Sequence, residues 1–94
     1  MNQDNKLESR LCLLTDGKGT VIYDSRSGKA VEYQAADSTL KILRILEKPR
    51  RISEISSELK DFSKRDLERE MRFLLGHGFI FEEDAHYINL VVLQ

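Results

Sequence analysis

The sequence has little of what catalytic and metal sites are built from. It contains one cysteine, one proline and no tryptophan. A single thiol makes no internal disulfide and no zinc site, and Cys12 lies in the apolar run 11–14, which favours a buried core position. The two histidines, His77 and His86, belong to no spacing with other ligands that is typical of a metal site. We therefore expect no metal, no cofactor and no enzymatic activity.

Long apolar runs and an excess of charge are missing as well. No segment has the apolar length to span a membrane, and the polar residues 1–10 form neither a signal nor a transit peptide, so we expect a cytoplasmic protein. Fifteen basic and sixteen acidic residues give a net charge of −1. This balance disfavours a nucleic-acid partner, because phosphate contacts need a basic excess. The 94 residues predict a flexible arm over 1–9 and one small domain over 10–94.

The first part of that domain predicts an antiparallel meander. Apolar, β-branched and aromatic residues predict three short strands, over 10–14, 20–24 and 29–34. Clusters of Gly, Ser and Asp between them are typical of turns. In the third strand, Val31 and Tyr33 face one way, and Glu32 and Gln34 the other.

After Ala36 the spacing of apolar residues becomes helical. It predicts three helices, over 38–47, 52–59 and 64–75. Pro49 ends the first. The third has signals at both ends: Ser63 is a helix cap with Asp66 at the third helical position, and glycines 76 and 78 are stop signals.

The third helix predicts two different faces. Its apolar face is formed by Leu67, Met71, Leu74 and Leu75. Arginines recur at i, i+4 and i+7 on the opposite side: Arg65, Arg69 and Arg72. This row either meets an acidic partner or is a solvated face in which Glu68 and Glu70 serve as ion-pair partners.

After Gly78 the period returns to two, which predicts strands over 79–82 and 86–93 joined by a turn at 83–85. Three strands, three helices and a C-terminal hairpin predict an α+β fold: a winged helix-turn-helix domain with a three-stranded antiparallel sheet. The exposed sheet edge and the long last strand leave room for a homodimer.

Several short motifs occur in an order that resembles the PqqD-like family. They are a strand ending in Asp with a glycine turn at 20–28, an apolar helix, ISEI at 52–55, and a leucine-rich helix end at 74–80. These small domains, also called RiPP recognition elements, bind precursor peptides in ribosomal natural-product pathways. The chain is also similar to the winged-helix tail of cobalamin-dependent radical S-adenosylmethionine enzymes from such pathways, through YDSR at 23–26 and YINL at 87–90.

The resemblance implies a non-catalytic module that recognises the leader of a precursor peptide and presents it to a modifying enzyme, such as a radical S-adenosylmethionine enzyme. In PqqD-like domains the leader joins the edge of the sheet as a further strand, beside the third helix. Carried onto this sequence, the edge is 29–34, and the residues that meet the peptide are Val31, Glu32, Tyr33, Arg65, Arg69, Arg72 and Phe73.

A DNA-binding winged-helix regulator is the alternative. The third helix would then enter the major groove, and its basic residues would meet bases and phosphates. The slightly acidic total, the glutamates at 68 and 70 and the acidic turn EED at 82–84 stand against it, because a hairpin that meets phosphate should not be acidic.

Overall fold

The structure is a computed structural model, and it describes residues 9–93. Over these residues the fold is α+β, with three helices and two small antiparallel sheets of three strands each. The chain forms two compact units. The strand unit comprises, of the described residues, 9–36 and 91–93, and the helical unit comprises 37–90. Apart from Ser9, the predicted arm over 1–9 lies outside the described residues.

The strand unit contains the predicted meander. Its strands are β1 (Leu11–Asp16), β2 (Gly19–Asp24) and β3 (Val31–Gln34), in the order β1-β2-β3. β1 runs two residues further than predicted, because its connection to β2 is a tight turn over residues 17 and 18. Asp16 pairs with Gly19, and its carboxylate accepts a hydrogen bond from the Lys18 backbone N–H at 2.7 Å.

Buried side chains of this unit concentrate on β1 and the middle of β2. Ile22 is fully buried, and the predicted core position of Cys12 is confirmed. The last predicted strand, over 86–93, is wrong in its second half: the strand ends at Asn89, and residues 91–93 belong to the strand unit. There Val92 forms a parallel bridge with Cys12.

The helical unit contains the three predicted helices and a second sheet. Its elements are α1 (Asp37–Ile45), β4 (Arg50–Arg51), α2 (Ile52–Glu58), α3 (Lys64–Gly76), β5 (Ile80–Glu83) and β6 (His86–Asn89). The hairpin after Gly78 is present. The sequence did not predict β4, which pairs with β6 and gives the sheet order β4-β6-β5. Two arginines carry no strand signal of their own, so this pairing is a tertiary effect.

The predicted apolar face of α3 is confirmed at Leu67, Met71 and Leu74, which are buried, whereas Leu75 is only half-buried. Thr39 of α1 is also buried, and its hydroxyl donates a hydrogen bond to the Glu70 carboxylate at 2.9 Å. Because this buried hydroxyl has a hydrogen-bond acceptor, it avoids the free-energy penalty of a buried polar group without a partner.

Both ends of α3 follow from local chemistry. The predicted cap is confirmed, because the Ser63 hydroxyl accepts a hydrogen bond from the Asp66 backbone N–H at 3.0 Å. Gly76 is the last residue of the helix, one residue beyond the predicted end. Gly78, with a φ of +72°, makes the left-handed turn that ends the helix.

Candidate functional site

The edge of the strand unit at β3 has a definite backbone orientation. The Ala35 N–H donates to the Thr20 carbonyl at 3.0 Å, directly after β3. Because the hydrogen bonds of antiparallel partners alternate along a strand, the backbone groups of Tyr33 and Val31 also face β2. A second hydrogen bond, from the Ser25 N–H to the carbonyl of residue 10, gives the same alternation independently. It shows that the backbone groups of odd-numbered residues of β2 face β1, so those of the even-numbered residues face β3.

The backbone groups of Glu32 and Gln34 consequently point away from β2. β2 is the one strand neighbour of β3 over the described part of the chain. Both side chains are exposed as well. We call these two residues with their outward N–H and carbonyl groups the β3 edge. It offers a row of donors and acceptors that another extended chain can pair with.

The opposite edge of the same sheet is already used. The Val92 N–H donates to the Leu11 carbonyl at 2.8 Å, and the Leu13 N–H donates to the Val92 carbonyl at 3.0 Å. One outward group of Leu11 and one of Leu13 are therefore satisfied from within the chain, so this edge is partly covered. Among the described residues, β3 has no such partner along its outer edge.

The side chains of β3 divide as the sequence predicted. Tyr33 is half-buried and stands in one cross-strand row with Ile22 and Leu13. Val31 lies on that same face of the sheet and is 40% exposed. Glu32 lies on the other face. An added strand would therefore meet an apolar flank on one face and a carboxylate on the other.

An ion pair lies in the turn that leads into β3. The Arg26 guanidinium donates two hydrogen bonds to the Asp24 carboxylate, from Nε to Oδ1 and from Nη2 to Oδ2, both at 2.9 Å. The Arg26 backbone N–H donates to the same Oδ1 at 3.0 Å. The bond to Asp24 is the largest cause of a raised Arg26 pKa. No contact was predicted from the sequence for either residue. The contact could have been predicted from an Asp at the start of a glycine-containing turn.

Three exposed arginines form the arginine face of α3, on the side opposite its buried residues: Arg65, Arg69 and Arg72. Arg69 lies 3.9 Å from the Asp66 carboxylate, and 71% of its side chain is exposed. Such an exposed pair is weak. Over residues 9–93, Arg65 and Arg72 form no ion pair, and Glu70, a predicted partner, accepts from Thr39 instead. The guanidinium groups of this face are therefore exposed and, among the described residues, engaged in at most one weak ion pair.

An aromatic cluster lies at the C-terminal end of α3. The Phe73 ring is 4.6 Å from the His77 ring, and His77 stacks on Phe79 at 5.3 Å with an interplanar angle of 16°. Phe79 is fully buried, whereas Phe73 is 38% exposed. Phe73 therefore offers a partly exposed apolar surface at the end of the arginine face.

The tip of the β5–β6 hairpin is acidic. Asp84 and Ala85 form its two-residue turn with φ values of 54° and 63°. Glu82, Glu83 and Asp84 are all exposed. Tyr87 is the cross-strand neighbour of Glu82, and its pKa is raised, first by burial and then by the negative charge of Glu82.

The structure distributes the predicted site residues over both units. Val31, Glu32 and Tyr33 lie together on β3, and the four residues predicted from the third helix lie on α3. Among the residues that the structure describes, no group of three His, Cys, Asp or Glu side chains is arranged to hold a metal ion. In the same residues no helix is long and apolar enough to cross a membrane.

Comparison of the chain with protein-family models, with curated proteins and with solved structures finds no match. The resemblance to PqqD-like domains therefore stays a prediction.

Proposed function

We propose that this protein is a non-catalytic module that binds an extended peptide by adding it as a further strand to β3. The observation that carries the proposal is the β3 edge, whose backbone groups at Glu32 and Gln34 point outward, while Val92 partly covers the other edge of the sheet. In strand addition the main-chain hydrogen bonds supply affinity, and alternate side chains supply specificity. Val31 and Tyr33 supply an apolar flank for such alternate residues.

We further propose that the helical unit is a winged helix-turn-helix. The element order α1-β4-α2-α3-β5-β6 with the sheet order β4-β6-β5 supports this identity. Its arginine face gives this unit a surface for acidic groups. Guanidinium groups bind carboxylates through charge-assisted hydrogen bonds, so acidic side chains of the bound partner are the groups that fit here.

The resemblance of the sequence supplies the biological partner. On that basis the peptide is the leader of a ribosomally made precursor, which the module presents in the cytoplasm to a modifying enzyme, such as a radical S-adenosylmethionine enzyme.

DNA binding is the second candidate, favoured by one observation: α3 follows α2 after a short turn and exposes three arginines on one side. The hairpin of a winged helix commonly approaches the DNA backbone. Here its tip carries Glu82, Glu83 and Asp84, all exposed, which would repel phosphates. We therefore place peptide binding first.

The test uses a displayed library of random peptides of about ten residues, enough to cover the whole of β3. Selection against the full chain should enrich acidic peptides with apolar residues at every second position. Enrichment of peptides with helical spacing, or no enrichment, would contradict strand addition.

Titration calorimetry of an enriched peptide then tests the arginine face. Arg69→Glu removes a cation and adds a repulsion, so it should weaken binding by about 1–3 kcal/mol with little effect on stability. The matched control is Arg44→Glu, which reverses an exposed arginine on α1. Equal affinities for both variants would show that the arginine face does not take part in binding this peptide. A gel shift with duplex DNA at low salt tests the second candidate.

A further inference from the structure

The connection between β2 and β3 is too long to set the register of β3 by itself. Asp24 is the last residue of β2 and pairs with Val31, the first of β3, so residues 25–30 form the loop. Two-residue hairpin turns fix register through their geometry, whereas longer loops leave it to other contacts. The positions of the outward groups on β3 depend on this register, because a slip by one residue would turn them inward.

The first half of this loop is held by several hydrogen bonds. Arg26 binds the Asp24 carboxylate through two guanidinium nitrogens and its backbone N–H. Ser25 is buried; its N–H donates to the Arg10 carbonyl at 2.9 Å, and its hydroxyl accepts from the Arg10 N–H at 3.1 Å. The Gly28 N–H donates to the Ser25 carbonyl at 3.1 Å. The loop is therefore attached to β1 and to the end of β2.

The Asp24 side chain that Arg26 binds lies on the same face of the sheet as the side chains of Val31 and Tyr33, because Asp24 pairs with Val31 and Ile22 pairs with Tyr33. Besides Asp24, Tyr33 contributes electrostatically to the raised pKa of Arg26. The carboxylate that Arg26 binds thus belongs to the residue directly opposite the start of β3.

We propose that Arg26 is a positioning residue for peptide binding: with Asp24 it forms a clip that holds β3 in register on β2, so that the Glu32 and Gln34 backbone groups are in place before a peptide arrives. This inference rests on the proposed function. A strand that is ordered in advance spares the peptide the cost of ordering it, which raises affinity without any direct contact.

The first experiment needs no peptide. Amide hydrogen exchange, measured by NMR, is compared for wild type, Arg26→Gln, Arg26→Lys and the control Arg44→Gln. Arg26→Gln should speed exchange of the Val31 and Tyr33 amides, which bond to β2, by about three- to tenfold, because the pair is charge-assisted but partly exposed. The Leu13 and Val92 amides on the other edge should not change. Arg26→Lys keeps the positive charge but loses the two-nitrogen guanidinium contact, so it should give an intermediate exchange rate.

The second experiment measures the affinity of a library-selected peptide for the same variants. Arg26→Gln should weaken binding by about three- to tenfold while Arg44→Gln binds like wild type, and Arg26→Lys should recover part of the loss. If β3 exchange rises but affinity is unchanged, the clip positions β3 and the proposed peptide site is wrong. If exchange at Val31 and Tyr33 is unchanged, or rises equally at Leu13, Arg26 has no positioning role.

Discussion

Proline substitutions at two neighbouring residues of β3 should differ in what they damage: one should mainly reduce stability, and the other should mainly reduce peptide affinity. Val31 and Glu32 are both exposed, so neither change removes a core side chain. They differ in backbone orientation. The alternation set by the bond between Ala35 and Thr20 directs the Val31 N–H toward β2 and the Glu32 N–H outward. Proline has no N–H, so only Val31→Pro removes a hydrogen bond within the sheet.

The sizes follow from that difference. Val31→Pro loses one backbone hydrogen bond and leaves the Asp24 carbonyl without that donor, at a cost of about 2–3 kcal/mol. Glu32→Pro loses no internal bond and should cost less than about 1 kcal/mol, since proline is tolerated on edge strands whose N–H faces solvent. For a chain of this size the two variants should melt about 10 °C apart. Glu32→Pro should weaken peptide binding more than Val31→Pro does, because it removes an N–H that would donate a hydrogen bond to a carbonyl of the added strand.

Thermal melts by circular dichroism and urea titrations measure the first comparison, and calorimetry with a selected peptide on the folded variants measures the second. Gln34→Pro is the internal control, since it has the same parity as Glu32 and should likewise be tolerated. A larger loss of stability for Glu32→Pro than for Val31→Pro would overturn the assigned parity and with it the β3 edge.

Two further predictions concern the helical unit. Leu74→Ala should cost about 2–5 kcal/mol because Leu74 is fully buried, whereas Leu75→Ala, at a half-buried position of the same helix, should cost clearly less in urea titrations; equal costs would show that the inward face is misassigned. Burial and Glu82 raise the pKa of Tyr87 above 10.0, so the neutral phenol is favoured in the folded state. The free energy of unfolding should therefore fall as the pH rises from 10.0 through the folded pKa. Tyr87→Phe should lose this dependence in thermal melts across that range, and an unchanged pH profile would contradict the assignment.

Local signals in the sequence were sufficient for most elements. The ends of α3 are set by a serine cap and a left-handed glycine, both of which act on neighbouring residues only, so the helix could be predicted almost to the residue. The meander was predicted for the same reason, since turn residues separate its strands.

Pairing between distant segments was beyond the sequence. β4 has two arginines and no strand pattern; it is a strand because β6 supplies partners for Arg50 and Arg51. The last apolar run predicted one long strand, yet the chain leaves β6 after Asn89 and bonds to β1. Periodicity gives the conformation of a segment but not its partner, and these two errors have that common cause.

The candidate site illustrates the same limit at finer scale. The sequence predicted which side chains of β3 share a face, because side-chain alternation is a local property. It could not predict which backbone groups face outward, because that parity depends on how the strands pair, as the bonds from Ala35 to Thr20 and from Ser25 to Arg10 show. Nor could it show that the tail around Val92 partly covers β1 and leaves β3 as the open edge. A sheet that partly covers one edge with its own chain and leaves the outer groups of the other edge unpaired has a place for a further strand, and this asymmetry is the physical basis of the proposed peptide site.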